Sequence, residues 1–185
     1  MISQLSDLIS RLKASEPTES AYHNILSSLN LPLSELEPYL HFRDQFYTRN
    51  LIERNANFEL MTLCWNPGHY TPIHDHQGSE GWLYVVSGKM IEKIFHYNPD
   101  KKDADKLKEA GEVMSGPGEL SHINDQKGFH SIHNVGEEQA VTLHFYAPII
   151  EKCLYICPDS FDTKSKVLSY YSEFGTITQN QHTTC

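Results

Sequence analysis

The sequence predicts a mainly β protein, a small barrel or sandwich of short strands behind a helical N-terminal segment. Two observations predict it. Before residue 42 the apolar residues fall at helical spacing; beyond it, short apolar stretches recur between turns rich in glycine and proline. A chain of 185 residues is long enough to bury a core without staples. One domain is therefore expected over 1–185, with a helical cap over 1–41, a β core over 42–174 and a polar tail over 175–185.

Leu5, Leu8, Ile9 and Leu12 mark a first helix, and Tyr22, Ile25, Leu26 and Leu29 a second. Ser34 and Glu37 form a capping-box pattern ahead of Tyr39 and Leu40. Phe58, Leu60, Thr62 and Cys64 then alternate with Glu59, Met61, Leu63 and Trp65, as in a strand. Trp82 to Val86 is a compact apolar run ending at a Ser87-Gly88 turn, and Met90 to Tyr97 reads as the returning strand. Residues 98–119 carry Pro99, Gly111, Gly116, Pro117 and Gly118 and read as a loop-rich excursion. Strands resume at 130–134, 139–147 and 151–157.

The formal net charge of -9 argues against nucleic acid and against anionic membrane as partners, since both require cationic patches. Lys101, Lys102, Lys106 and Lys108 are interrupted by Asp103 and Asp105, the pattern of a solvated loop. No signal peptide or membrane-spanning run is visible. Cysteines stand at 64, 153, 157 and 185. Cys153 and Cys157 lie four apart with no second pair to complete a zinc site, so reduced thiols in a cytoplasmic, monomeric protein are expected.

Histidine, with eleven copies, is the telling residue. The densest chemistry is Gly68-His-Tyr-Thr-Pro-Ile-His74-Asp-His76. On a strand, residues two apart share a face about 7 Å apart, so His74 and His76 can serve one metal while Asp75 faces away. An isolated pair of this kind is as often a polar strand end. The surrounding spacing adds weight, because Gly68, His74, His76, position 81 and Gly88 are spaced as in the first cupin motif. That motif usually has a glutamate ligand where Gly81 stands. The second cupin motif pairs a histidine with an asparagine four positions later, which His130 and Asn134 satisfy and His133 does not. Glu80 is the rival ligand, disfavoured because a slip of one residue turns a strand side chain to the other face. Three neutral imidazoles without a thiolate suit iron(II), nickel, zinc or copper, and leave positions open for substrate and oxygen.

From about Phe42 to Phe174 the chain resembles the cysteine dioxygenases. The resemblance rests on Tyr47-Thr-Arg49-Asn50, Leu63-Cys-Trp65, Ile73-His-Asp-His76, Ile123-Asn-Asp125, Gly128-Phe-His130 and Leu143-His144-Phe-Tyr146. It implies a small cupin β-barrel (jelly-roll), Fe(2+) held by His74, His76 and His130, and oxidation of L-cysteine by O2 to the sulfinic acid. Arg49 matches the arginine that binds the substrate carboxylate, a fit for a guanidinium fork, and Tyr47 a tyrosine of the same pocket. His144 and Tyr146 match the catalytic histidine and tyrosine; two apart on a strand, both can face inward, with Thr142 continuing that face. The resemblance also implies a cis Ala147-Pro148 bond. In animal members a cysteine is joined covalently to the tyrosine matching Tyr146. Gly81 stands at that cysteine's position, so no thioether is expected, as in bacterial members. Cys64 is expected to be a core thiol. Arg49 favours cysteine over 3-mercaptopropionate, whose related enzymes generally carry glutamine there. A non-oxygenase metal-binding cupin is the reading of another class.

Overall fold

A computed structural model describes residues 1–178. The chain opens with α1 (Leu5–Ala14), α2 (Glu19–Leu26) and a 3-10 helix (Leu33–Tyr39). Leu5, Leu8 and Leu12 turn one apolar stripe of α1 inward, and Tyr22 and Leu26 do the same for α2. Thr18 caps α2 by accepting the Ala21 N–H. The capping box expected at Ser34 and Glu37 does not form. The 3-10 helix starts at Leu33 after Pro32 without a side-chain cap, and Pro38 lies inside it. Glu35 instead caps α1, its Oε2 accepting the Leu5 N–H at 2.9 Å.

Twelve strands follow among the described residues. They are β1 (Thr48–Arg54), β2 (Glu59–Trp65), β3 (Glu80–Ser87), β4 (Met90–Tyr97), β5 (Leu107–Ser115), β6 (Leu120–Ile123), β7 (Phe129–Asn134), β8 (Ala140–Ala147), β9 (Lys152–Ile156), β10 (Thr163–Val167), β11 (Ser172–Glu173) and β12 (Thr176–Ile177). One sheet runs β12-β11-β1-β2-β8-β3-β6, a second β5-β4-β7, and β9 pairs with β10. The segment 70–74 joins these last two groups through bridges from Tyr70 to His133 and from His74 to both His130 and Tyr155.

The seven-stranded sheet is covered on both faces, so every residue of β2 and β8 is buried. One face carries Phe58, Leu60, Cys64, Trp82, Tyr84, Leu143 and Phe145 against the helices. The other carries Met61, Leu63, Trp65, Leu83, Val85 and Tyr146, packed with Met90, Ile132 and Cys153 of the opposite strands. This second layer encloses the cavity described below.

Two expectations are corrected. β4 does not return beside β3: β3 pairs with β6 and β8, while β4 pairs with β5 and β7. The Ser87-Gly88 turn thus carries the chain from one sheet to the other. Residues 98–119 are also more than a loop. A 3-10 turn (Asp103–Lys106) leads into β5, which pairs along all of β4. β5 is an edge strand exposed for most of its length on both faces, so its sequence lacks the alternation that marks a strand. Of the polar tail, residues 179–185 lie outside the described residues, while Thr176–Ile177 adds β12.

Gly88 makes the sheet crossing possible. Its φ is +90°, and an added Cβ would lie 2.3 Å from Ala140 Cβ and 2.7 Å from Ala140 Cα. Left-handed strain and overpacking each cost about 1–3 kcal/mol, so Gly88→Ala should lower unfolding free energy by roughly 2–6 kcal/mol. Urea titration checks this; an unchanged midpoint would show that the turn tolerates a side chain.

Candidate metal centre

His74, His76 and His130 converge, their ligand-capable nitrogens all lying within 4.8 Å of one another. His130 projects from β7. His74 stands opposite it on an extended bridge, with paired backbone bonds His74 N–H to His130 O and His130 N–H to His74 O, both 2.9 Å. His76 follows where the chain leaves this bridge for a turn, so the pair is not on a regular strand as the spacing suggested. Asp125 fixes that turn: its carboxylate accepts the His76 N–H at 2.9 Å and the Gly78 N–H at 2.6 Å. Asp75 faces away, accepting the Leu154 N–H at 2.7 Å.

Hydrogen bonds assign the tautomers. His74 Nδ1–H donates to the Pro72 carbonyl at 2.8 Å, and His130 Nδ1–H to Glu92 Oε1 at 2.7 Å. Nε2 is then left toward the centre on both rings, and His130 Nε2 lies 3.1 Å from His76 Nε2. Burial, followed by the neighbouring His130, lowers the His74 imidazole to about 3 and holds His76 well below its ordinary value. Neutral, buried imidazoles with free Nε2 lone pairs suit a divalent first-row metal. Burial pushes the Glu92 carboxyl up, but the hydrogen bond from His130 outweighs it and holds the group below the ordinary range.

The rival residues lie elsewhere. Glu80 Oε2 accepts from His122 Nε2 at 2.7 Å and Asn124 Nδ2 at 3.1 Å. His133 Nε2 bonds Ser131 Oγ, and its ring stacks on Tyr70.

Beside the histidines lies a cavity of about 60 Å³. Tyr47, Arg49, His144 and Tyr146 line it, with Leu63, Ile132, Ile150 and Cys153 among its apolar walls. Tyr47 stacks on Trp65, ring centroids 4.7 Å apart. Thr142, His144 and Tyr146 share the inward face of β8 and form a directed chain. Trp65 Nε1–H can only donate, and does so to Thr142 Oγ1 at 2.9 Å. Thr142 then gives its own proton to His144 Nε2 at 2.8 Å. Burial first, then His130 and Arg49, lowers His144 to about 3, so the neutral ring carries its proton on Nδ1 and donates to the Tyr146 oxygen at 3.1 Å. The Tyr146 O–H remains as a donor, and burial raises its pKa and keeps it protonated.

A family model described as cysteine dioxygenase type I matches residues 1–156. The chain belongs to the type I cysteine dioxygenase family. It is 36% identical over 154 residues to cysteine dioxygenase type 1 of Homo sapiens, covering 80% of this chain and 74% of that one. It is 31% identical over 177 residues to that of Danio rerio, covering 92% and 88%. Among solved structures, TT1209 from Thermus thermophilus overlaps 61% of this chain and 93% of its own at a TM-score of 0.49 and 16% identity. A likeness so distant says nothing of function.

Set within the cysteine dioxygenases, two further features take on meaning. Gly81 is the cross-strand partner of Tyr146, and a Cβ there would sit 2.8 Å from His76 Cε1. With no sulfur at that position, Tyr146 has no thioether partner in Gly81. The Ala147-Pro148 bond is cis. Cys64 is buried among the helix-facing residues, and burial raises its thiol to about 11. Glu92, Asp125 and Trp65 were not assigned roles from sequence. Glu92 alternates with Met90 on the inward face of β4, and a carboxylate at a core position was the available signal.

The chain of bonds and the buried rings can each be tested. Thr142→Val keeps the shape but strands the Trp65 N–H and His144 Nε2, so stability should fall by about 1–3 kcal/mol in urea unfolding; no loss would mean the hydroxyl is idle. Imidazoles held neutral in the fold but titrating at 6.5 when unfolded give stability that is full above pH 6.5 and lost as pH falls toward 3. The metal-free protein should therefore weaken as pH drops below about 6.5, and His144→Gln should flatten that slope. An equal slope in the variant would contradict a buried neutral His144.

Proposed function

We propose that this chain is an iron-dependent thiol dioxygenase that converts L-cysteine and O2 to cysteine sulfinic acid. The observation that carries the reading is one cavity lined both by histidines of a metal-capable trio and by a buried arginine fork. His74, His76 and His130 would hold Fe(2+). Iron(II) bound there would supply a positive charge that favours a deprotonated thiol and the redox chemistry that O2 requires.

The rest falls to the protein's own side chains. Arg49 is 7% exposed, and its charge-assisted fork receives the substrate carboxylate. Tyr47 lines the same wall. Tyr146 points its O–H proton into the cavity and donates where negative charge develops on oxygen. His144 holds that hydroxyl in place and fixes which proton it presents. Leu63, Ile132 and Ile150 exclude bulk water, which strengthens each of these bonds. The product takes both atoms of O2 on sulfur, so no external reductant is required.

Cysteine would be favoured over 3-mercaptopropionate because its amine offers a second donor beside the thiol for a metal held by His74, His76 and His130, leaving its carboxylate for Arg49. Cys64 and Cys157 are unbridged, which fits a reducing compartment such as the cytoplasm. No helix among the described residues is long and apolar enough to cross a membrane.

O2 uptake by iron-loaded protein tests the assignment. Cysteine should be turned over, cysteamine poorly, and a chelator should abolish both. A charged hydrogen bond is worth about 1.5–3 kcal/mol, so Arg49→Gln should lower cysteine kcat/KM by roughly one to two orders of magnitude. Activity on 3-mercaptopropionate should fall less or rise. Cysteine turnover by Arg49→Gln equal to the parent's would make Arg49 structural.

A further inference from the structure

Arg49 has an unusual neighbour. Glu59, at the start of β2, is fully buried, and its Oε1 lies 3.7 Å from Arg49 Nη2. At that distance the two charges attract but share no hydrogen bond. The carboxylate is held by other donors: Tyr170 O–H donates to Oε2, and the Ile150 N–H reaches Oε1 at 3.4 Å. The guanidinium meanwhile lies 5.4 Å over the Tyr170 ring, and its Nη2 makes one weak bond, to Met61 Sδ at 3.5 Å. Glu59 also sits opposite Tyr146 in the β2–β8 ladder, next to two residues of the cavity wall, Arg49 and Tyr146.

An arginine this deeply buried needs a counter-charge, because an uncompensated charge is costly out of water. If Glu59 met it fork to fork, the donors would be spent and nothing would remain for a substrate. Here the carboxylate is anchored by Tyr170 and a backbone amide, so it offsets the charge while leaving the fork largely uncommitted. We propose that Glu59 is a positioning residue that sets substrate affinity, balancing Arg49 in the empty pocket and competing electrostatically with the incoming carboxylate. Tyr170 is the anchor that stops this competition from becoming occlusion. The inference rests on Arg49 as the seat of the substrate carboxylate.

The two side chains give opposite signs. Glu59→Gln keeps an acceptor for Tyr170 but removes the competing charge, so a substrate anion now supplies the compensation that Glu59 gave Arg49. KM for cysteine should fall by about tenfold, the lower range of close charge-pair couplings, with kcat unchanged and cysteamine, which has no carboxylate, unaffected. Tyr170→Phe keeps the ring under Arg49 but frees Oε2, and the carboxylate turns to the nearest strong donors, those of Arg49. Cysteine KM should then rise severalfold at unchanged kcat.

The measurement is O2 uptake by the iron-loaded parent, Glu59→Gln, Tyr170→Phe, Arg49→Gln and the Arg49→Gln/Glu59→Gln pair, on cysteine and cysteamine. Thermal shift by cysteine under nitrogen gives a binding readout independent of turnover, and should be larger for Glu59→Gln than for the parent. In the Arg49→Gln background, Glu59→Gln should leave cysteine KM where it was. A merely structural Glu59 would lower melting temperature without moving KM in either direction, and that result overturns the inference while leaving Arg49's role intact. Should Glu59→Gln fail to fold, Tyr170→Phe decides alone: a raised KM supports the competition and an unchanged one overturns it. An Arg49→Gln variant indistinguishable from the parent defeats the underlying reading as well.

Discussion

The pair of backbone hydrogen bonds between His74 and His130 is the constraint on which the site depends. It closes the gap between β7 and β9 with an extended segment, and it fixes the register of two histidines separated by 56 positions in sequence. His76 then needs only a turn held by Asp125 to bring its ring to the same point. Side-chain direction in extended chain is set by register, so a slip of one residue here would aim His133 inward and His130 at solvent. The remaining polar groups near the centre are arranged around that register. Glu92 orients His130, Pro72 orients His74, and the Trp65, Thr142 and His144 series orients Tyr146.

The same architecture makes the site dry. The seven-stranded sheet is apolar on both faces because helices cover one and the second layer of strands covers the other. Polar groups on the inner face are therefore costly unless bonded, and those at the site are bonded to one another or to backbone. Burial keeps His74, His76 and His144 neutral and Tyr146 protonated, the states that metal ligation and hydrogen-bond donation require. One physical cause, exclusion of water, thus prepares both the metal-binding face and the groups that would act on substrate.

Much of this was legible in the sequence. Helical spacing marked the cap, period-two alternation marked β2, and the resemblance to the cysteine dioxygenases marked the inward set Thr142, His144 and Tyr146. Motif spacing singled out His74, His76 and His130 and set aside Glu80 and His133. What escaped reading has physical reasons. β5 is solvated on both faces and so carries no hydrophobic period. The Ser87-Gly88 turn looks like a hairpin because local sequence cannot report which sheet a strand joins. Ser34 and Glu37 match a cap, but Pro32 and Pro38 favour a tighter helix and Glu35 is drawn to the start of α1. Glu59 reads as one polar residue in an alternating strand, and its closeness to Arg49 is a tertiary fact.

Oxygen isotope labelling of the product tests the central assignment most directly. Iron-loaded protein supplied with L-cysteine under 18O2 should yield a sulfinate carrying two labelled oxygens, read by mass spectrometry, because a dioxygenase delivers both atoms of one O2 to sulfur. Incorporation of one labelled atom with the second from water, or recovery of cystine with no oxygenated product, would contradict it.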